Sequence, residues 1–275
     1  MLRLLHVSDV HFGPPEEPSQ VAAVERLVQR ERYQAVAVSG DVSQRARARE
    51  FRKGAAWLAR LRATSPVLVV PGNHDIPWWR SPLHLLGAGL LYAKYRHFLA
   101  TELEPVLQVT GARLVGMNTA QGISWRTLTR RLRDLSIIGD LRPLQLARAG
   151  EAFASSPTGD LRVAVLHHNL TRGALSRRYG LKHHEAVLGA LAGMGVGLVL
   201  TGHDHQEQVT PLEIDGRRLV VLTAGTISNR SRGGRPTSVF EIEVRPTTLT
   251  VVTRTWTGTS GGEDFLPSNT QCFDR

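Results

Sequence analysis

Over its first two thirds the chain alternates short apolar runs with segments of helical period. Leu2–Val7 is an apolar-rich run, followed by residues 18–31, where Val21, Val24, Leu27 and Val28 recur at helical spacing. Ala35–Val38 is the next run. Residues 46–63 then put Phe51, Ala55, Leu58 and Ala59 on one side, with Arg47, Arg49, Arg52, Lys53, Arg60 and Arg62 mostly elsewhere. Further runs stand at 67–70, 114–117, 163–166 and 196–200, the last two separated by a helical stretch at 183–193. Short apolar runs bounded by turn residues suit strands buried on both faces. Their alternation with helices predicts a sheet with parallel pairs and covering helices. From about residue 206 the pattern becomes β-rich, with runs at 207–214, 217–224, 237–244 and 248–256. Short turns such as Asp215-Gly216 join them, as between antiparallel strands. Two stretches interrupt the alternation. Residues 76–101 form an apolar, aromatic and basic insert, and residues 119–142 carry Arg126, Arg130, Arg131, Arg133 and Arg142. A single domain is expected over 1–256, with a loose Gly/Ser/Thr-rich tail over 257–275.

Composition narrows the class. At 275 residues, 41% hydrophobic and 21% charged, the chain can bury a sizeable core and is not disordered overall. Its single cysteine, Cys272, excludes an intramolecular disulfide and a cysteine-rich zinc module. No run reaches the roughly 20 apolar residues of a membrane-spanning helix. Residues 1–7 lead directly into Ser8-Asp9-Val10-His11, so no secretory leader is expected and the cytoplasm is the expected compartment. The net charge of +10 invites a nucleic-acid or anionic-membrane partner. Yet of the 34 basic residues only Lys53, Lys94 and Lys182 are lysine, a bias that also suits a GC-rich genome favouring arginine codons. With aromatics at 6%, nucleic-acid binding is possible in kind but not favoured.

The chemistry lies directly after the apolar runs. Five of them lead into Ser8-Asp9-Val10-His11, Ser39-Gly40-Asp41, Pro71-Gly72-Asn73-His74-Asp75, His167-His168-Asn169 and Thr201-Gly202-His203-Asp204-His205. Ligands of α/β sheets bind at the carboxyl ends of strands, so these clusters are expected to converge on one rim. Imidazole, carboxylate and amide oxygen are donors for divalent first-row metals. Seven such side chains exceed the needs of one ion. With Asp41 shared, two ions would each receive four and keep positions open for water and substrate.

The ordered set D-x-H, G-D, G-N-H-D, H and G-H-x-H resembles the calcineurin-like metallophosphoesterase superfamily. The double histidine, Met117-Asn118-Thr119 and Ala224-Gly225-Thr226 are similar to its bacterial cyclic-nucleotide phosphodiesterase-like branch. That branch usually has proline after the histidine pair; this chain has Asn169. The resemblance implies a four-layer α/β/β/α sandwich with two mixed β-sheets and the metal site at the carboxyl rim. It implies one metal on Asp9, His11, Asp41 and His205, and another on Asp41, Asn73, His167 and His203, drawn from manganese, iron, zinc or nickel. His74 is then expected to donate a hydrogen bond or proton, oriented by Asp75. Asn73, His168 and Arg126 are the expected substrate contacts. The implied activity is hydrolysis of a small phosphodiester, such as a cyclic nucleotide, by in-line attack of a metal-activated hydroxide. The alternatives are pyrophosphate cleavage in a nucleotide-linked lipid, nuclease action and a scaffold without turnover. The insert at 76–101 is read as a packed helix, as a lid, or as a peripheral membrane contact flanked by Trp78, Trp79, Arg80, Lys94 and Arg96.

Overall fold

In the computed structural model residues 1–77, 83, 89–127, 137–258 and 262–275 are described. In chain order they form β1 (Leu2–Val7), α1 (Pro18–Glu31), β2 (Ala35–Val38), α2 (Ala48–Arg62), β3 (Val67–Val69), a 3-10 turn at Asn73–Asp75, and α3 (Gly89–Phe98). There follow β4 (Val106–Val109), β5 (Ala112–Met117), α4 (Pro143–Ala154), β6 (Leu161–Leu166), α5 (His184–Gly193) and β7 (Leu198–Thr201). The chain closes with β8 (Gln208–Ile214), β9 (Arg217–Thr223), β10 (Ser238–Val244), β11 (Thr248–Trp256) and β12 (Phe265–Asp274).

The strands make two mixed sheets, ordered β12-β11-β10-β1-β2-β3 and β4-β5-β6-β7-β9-β8. Strand alternation sorts their side chains into three cores. Leu2 and Leu4 of β1, Ala35 and Ala37 of β2, Val163 and Val165 of β6, and Leu198 and Leu200 of β7 share the core between the sheets. The alternate residues Leu5, Val7, Val36 and Val38 meet Val24, Leu27, Val28, Phe51, Trp57 and Leu58 of α1 and α2. Ala164, Leu166 and Val199 meet Phe153 of α4 and Leu188 and Leu191 of α5. The result is an α/β/β/α sandwich of four layers.

Local chemistry sets the element ends. Pro18 starts α1, where the missing N–H costs nothing. At its other end Arg32 turns left-handed (φ 50°) and its N–H donates to the Val28 carbonyl. Glu50 of α2 accepts from the Arg45 and Arg47 amides at 2.8 and 3.3 Å, satisfying donors ahead of the first turn. Asp215 and Gly216 both take positive φ, at 50° and 72°, as a two-residue hairpin requires.

Three features depart from the sequence reading. Residues 265–274, expected within a loose tail, form β12 and pair along β11. This is an edge strand with one ladder and mostly exposed side chains, so it needs no apolar alternation. Pro267 is tolerated there beside the register shift at Thr253/Arg254. Helix α4 was not predicted, because it buries only Ala149 and Phe153. The short strand β4 was not predicted either; it too is an edge. Of the insert, residues 89–98 are α3, with Phe98 stacked on Phe51 of α2 at 6.0 Å. Trp78, Trp79 and Arg80, and Arg130, Arg131 and Arg133, lie outside the described residues. Among those described, no helix is long and apolar enough to cross a membrane.

Candidate metal centre

Strands β1, β2 and β3 are neighbours in one sheet, and β6 and β7 in the other, and their carboxyl ends face each other across the inter-sheet core. Close approach of these loops depends on glycine. A Cβ on Gly40 would lie 2.7 Å from His167 Nδ1 and 2.8 Å from the Gly72 nitrogen. One on Gly202 would lie 1.9 Å from Ser8 Oγ and 2.5 Å from Asp9 Oδ2. The glycines ahead of Asp41 and His203 are therefore required by the convergence of the loops. The backbone is also held in a costly conformation at the polar residues themselves. Asp9, His11, Asp41, His203 and His205 all have positive φ, between 52° and 74°. Non-glycine residues enter that region at a cost of order 1–3 kcal/mol each and cluster at functional sites.

All seven expected donors come together. On one side Asp9, His11, Asp41 and His205 each offer an atom within 4.8 Å of the others. His205 Nε2 is 3.1 Å from Asp9 Oδ1 and 3.0 Å from His11 Nε2. On the other side Asn73 Oδ1 lies 3.2 Å from His167 Nε2 and 3.0 Å from His203 Nδ1. Asp41 Oδ2 stands between them, 3.8 Å from His11 Nε2 and 3.3 Å from His167 Nε2. Neighbouring carbonyls orient two rings. His167 Nδ1 donates to Ser39 O at 2.8 Å and His205 Nδ1 to Arg230 O at 3.1 Å, leaving each Nε2 to face the cluster. Asp9 Oδ1 is buried without a well-directed hydrogen bond.

Electrostatics match this donor set. Burial alone would raise the Asp9 and Asp41 carboxyls, but facing histidines hold both well below the usual carboxylate range. Burial keeps His11 and His203 neutral, lowering them to about 4 and about 3. His167 differs. Burial opposes its charge, but the Asp41 carboxylate prevails and holds it up at about 9. The orphaned Asp9 Oδ1, 3.6 Å from His11 Nε2 and 3.1 Å from His205 Nε2, fits a divalent metal.

The other expected residues divide. His74 Nδ1 donates to Gln44 O at 2.8 Å, while its main-chain N–H donates to Asp41 Oδ1 at 2.8 Å. Asp75 does not orient the His74 ring, contrary to expectation. It accepts the Val42, Ser43 and Gly72 amides at 3.2, 2.7 and 3.0 Å and so braces the two metal loops. Burial and the charge on Asp41 push it up to about 7. His168 is buried, with Nδ1 2.7 Å from Thr119 Oγ1 and its ring 4.6 Å from that of His203. Arg126 is committed to an ion pair with Asp140, with Nη2 3.2 Å from Oδ1, so it is not an open anion contact. The sequence reading missed Arg230. Its Nη1 lies 3.1 Å from Gln44 Oε1 and 3.5 Å from His74 Nε2. The segment around it carries no motif, and only the fold places it beside His74. Next to His203 opens a cavity of about 680 Å³.

Two buried carboxylates, an amide and four imidazoles gathered at the rim of two facing sheets are a donor set that suits a divalent metal centre. The sequence model of the calcineurin-like phosphoesterases matches residues 2–207, and the chain belongs to that family. Among solved structures it is similar to a dimetal phosphatase from Danio rerio, at 15% identity and TM-score 0.64, covering 92% of this chain and 96% of that one. It is also similar to a purple acid phosphatase from yellow lupin (Lupinus luteus) seeds, at 12% identity and TM-score 0.67, covering 100% and 54%. A third is the GAP50 anchor of the Plasmodium inner membrane complex, at 13% identity and TM-score 0.55, covering 99% and 88%. At these identities the likeness speaks for the fold. No curated protein matches in sequence.

Proposed function

We propose that the protein is a dinuclear-metal phosphohydrolase acting on a small phosphodiester, with a cyclic nucleotide as one candidate. The observation that carries the reading is the convergence of seven donor side chains on one rim, with Asp41 between the two groups. Asp9, His11, Asp41 and His205 would hold one metal, and Asp41, Asn73, His167 and His203 the other. When bound, such a pair supplies an activated water near neutral pH and charge neutralisation for a phosphoryl group.

The protein's own groups do the remainder. With Nδ1–H committed to the Gln44 carbonyl, His74 Nε2 exchanges a proton or hydrogen bond with the phosphate or its leaving oxygen. Arg230, at the same edge, is placed to hold phosphoryl oxygens, a task that suits the guanidinium fork. His168 supports the His203 ring. The full chain, stripped and reloaded with manganese, is expected to hydrolyse bis(p-nitrophenyl) phosphate, and zinc, iron and nickel serve as parallel arms. Metal-loaded protein without turnover of diester or monoester would leave the scaffold reading in its place. Pyrophosphate cleavage is the second reading, and the cavity beside His203 is what favours it.

A further inference from the structure

Strand β1 sends alternate residues into the core between the sheets, Leu2 and Leu4 first and then His6. His6 is fully buried, and its ring stacks on Phe240 of that core, with centroids 6.1 Å apart and planes at 20°. Its Nε2 lies 2.9 Å from Ser39 Oγ, while Nδ1 has no hydrogen-bond partner. Burial keeps the ring neutral, lowering it to about 3. An imidazole with one unpaired nitrogen is a costly occupant of an apolar core, where a further leucine would continue the pattern. What it does that leucine could not is hold Ser39.

Ser39 directly follows β2 and leads through Gly40 to Asp41, at φ of 99° and 52°. Its N–H donates to Val7 O at 3.0 Å, so with Oγ held by His6 the residue is fixed at both its backbone and its side chain. Its carbonyl accepts Ser8 Oγ at 3.3 Å and, from the other sheet, His167 Nδ1 at 2.8 Å. A tilt of that carbonyl would turn the His167 ring, whose Nε2 lies 3.3 Å from Asp41 Oδ2 and 3.2 Å from Asn73 Oδ1. His205 is oriented separately, by the Arg230 carbonyl.

We infer that His6 is a positioning residue for the metal centre: it fixes Ser39, and the Ser39 carbonyl fixes the His167 ring with Nε2 toward Asp41 and Asn73. Hydrogen bonds behind a ligating imidazole set its tautomer and direction, and losing one costs about 10–100-fold in metal affinity. The effect falls on the ion that Asp41, Asn73, His167 and His203 would hold. The cost of an unpaired nitrogen in the core is thereby offset at the rim.

This inference rests on the metal-centre reading, and the test separates the two. Manganese binding to the metal-stripped full chain is measured by isothermal titration calorimetry, which does not depend on turnover. His6→Leu and Ser39→Ala are each expected to weaken one of two binding steps about tenfold or more and to leave the other in place. The double variant should bind no worse than the weaker single variant, because both remove the same link. His6→Gln, whose amide stands where Nε2 did, should restore binding. The thermal midpoint of stripped His6→Leu should not fall, since leucine removes the unpaired nitrogen. Unchanged binding in Ser39→Ala, additive losses in the double variant, or no recovery in His6→Gln would each overturn the inference. So would a lower midpoint in His6→Leu with both binding steps intact, which marks a residue that only packs. Should His6→Leu not fold, His6→Gln and Ser39→Ala carry the test, with wild-type binding expected in the first and one weakened step in the second. A wild-type chain that takes up no manganese would overturn the metal-centre reading instead.

Discussion

Asp41 Oδ2 lies 3.3 Å from a ring of one sheet, His167, and 3.8 Å from a ring of the other, His11. Among the described residues no other carboxylate is so placed between the two donor groups. Asp41→Ala is therefore expected to lose both metals, read as metal per chain by mass spectrometry; full retention of two ions would contradict the shared role. His74 reaches the site without being needed as a donor to metal. His74→Gln is expected to keep the metals and lose about 10²–10⁴ in kcat, the usual range for a general acid or base. Metal loss in that variant would place His74 among the ligands. A pH effect follows from His167, held at about 9 by Asp41 against the opposing effect of burial. Its folded pKa is above the free value of about 6.5. The stabilisation is fully present below about 6.5 and is lost as pH rises through about 9. The melting midpoint of metal-stripped protein should fall across that window, and a flat or rising midpoint would contradict the coupling.

The elements that present these residues were largely legible, and the reason is their depth. Strands β1, β2, β6 and β7 are central and buried on both faces, so they read as continuous apolar runs. Strand β12 and helix α4 were not, because neither makes a deep two-sided contact. Beyond the sheet ladder, an ionic cluster invisible in the sequence ties α1 to the first sheet. Buried Glu241 of β10 accepts from Arg3 Nη2 and Arg254 Nε, each at 2.6 Å, and from Tyr33 OH at 3.0 Å. Arg3 also holds Glu31 at 2.8 Å. Glu241→Gln would leave two guanidinium groups short of a partner and is expected to cost about 3 kcal/mol in urea denaturation, as for one partner of a buried ion pair. Burial works to raise Glu241, but its arginine partners hold it below the usual range; Arg3 does the same for Glu31. That stabilisation is present above about 4.5 and is lost as pH falls through the lowered values. Wild type should lose more stability on acidification than Glu241→Gln, and equal acid sensitivity would contradict it.

At the scale of the molecule, two sheets face each other so that loops from five strands meet at one rim, and the residues they carry have little use apart from one another. The set of donors was legible because each follows an apolar run, and the glycines between run and donor mark where loops from opposite sheets approach too closely for a side chain. Asp75 shows the limit of such reading. Adjacency to His74 suggested an orienting carboxylate, but the folded loop turns it onto three backbone amides. Arg230 shows the complement, a residue without motif that chain geometry alone delivers to His74. Of the charge of +10, Arg230 is the part that the fold brings beside His74. The most direct measurement is the rate of bis(p-nitrophenyl) phosphate hydrolysis followed against manganese bound per chain. A dinuclear hydrolytic centre predicts that the rate rises with occupancy and saturates at two ions. Full occupancy without turnover, or full activity at one ion, would contradict it.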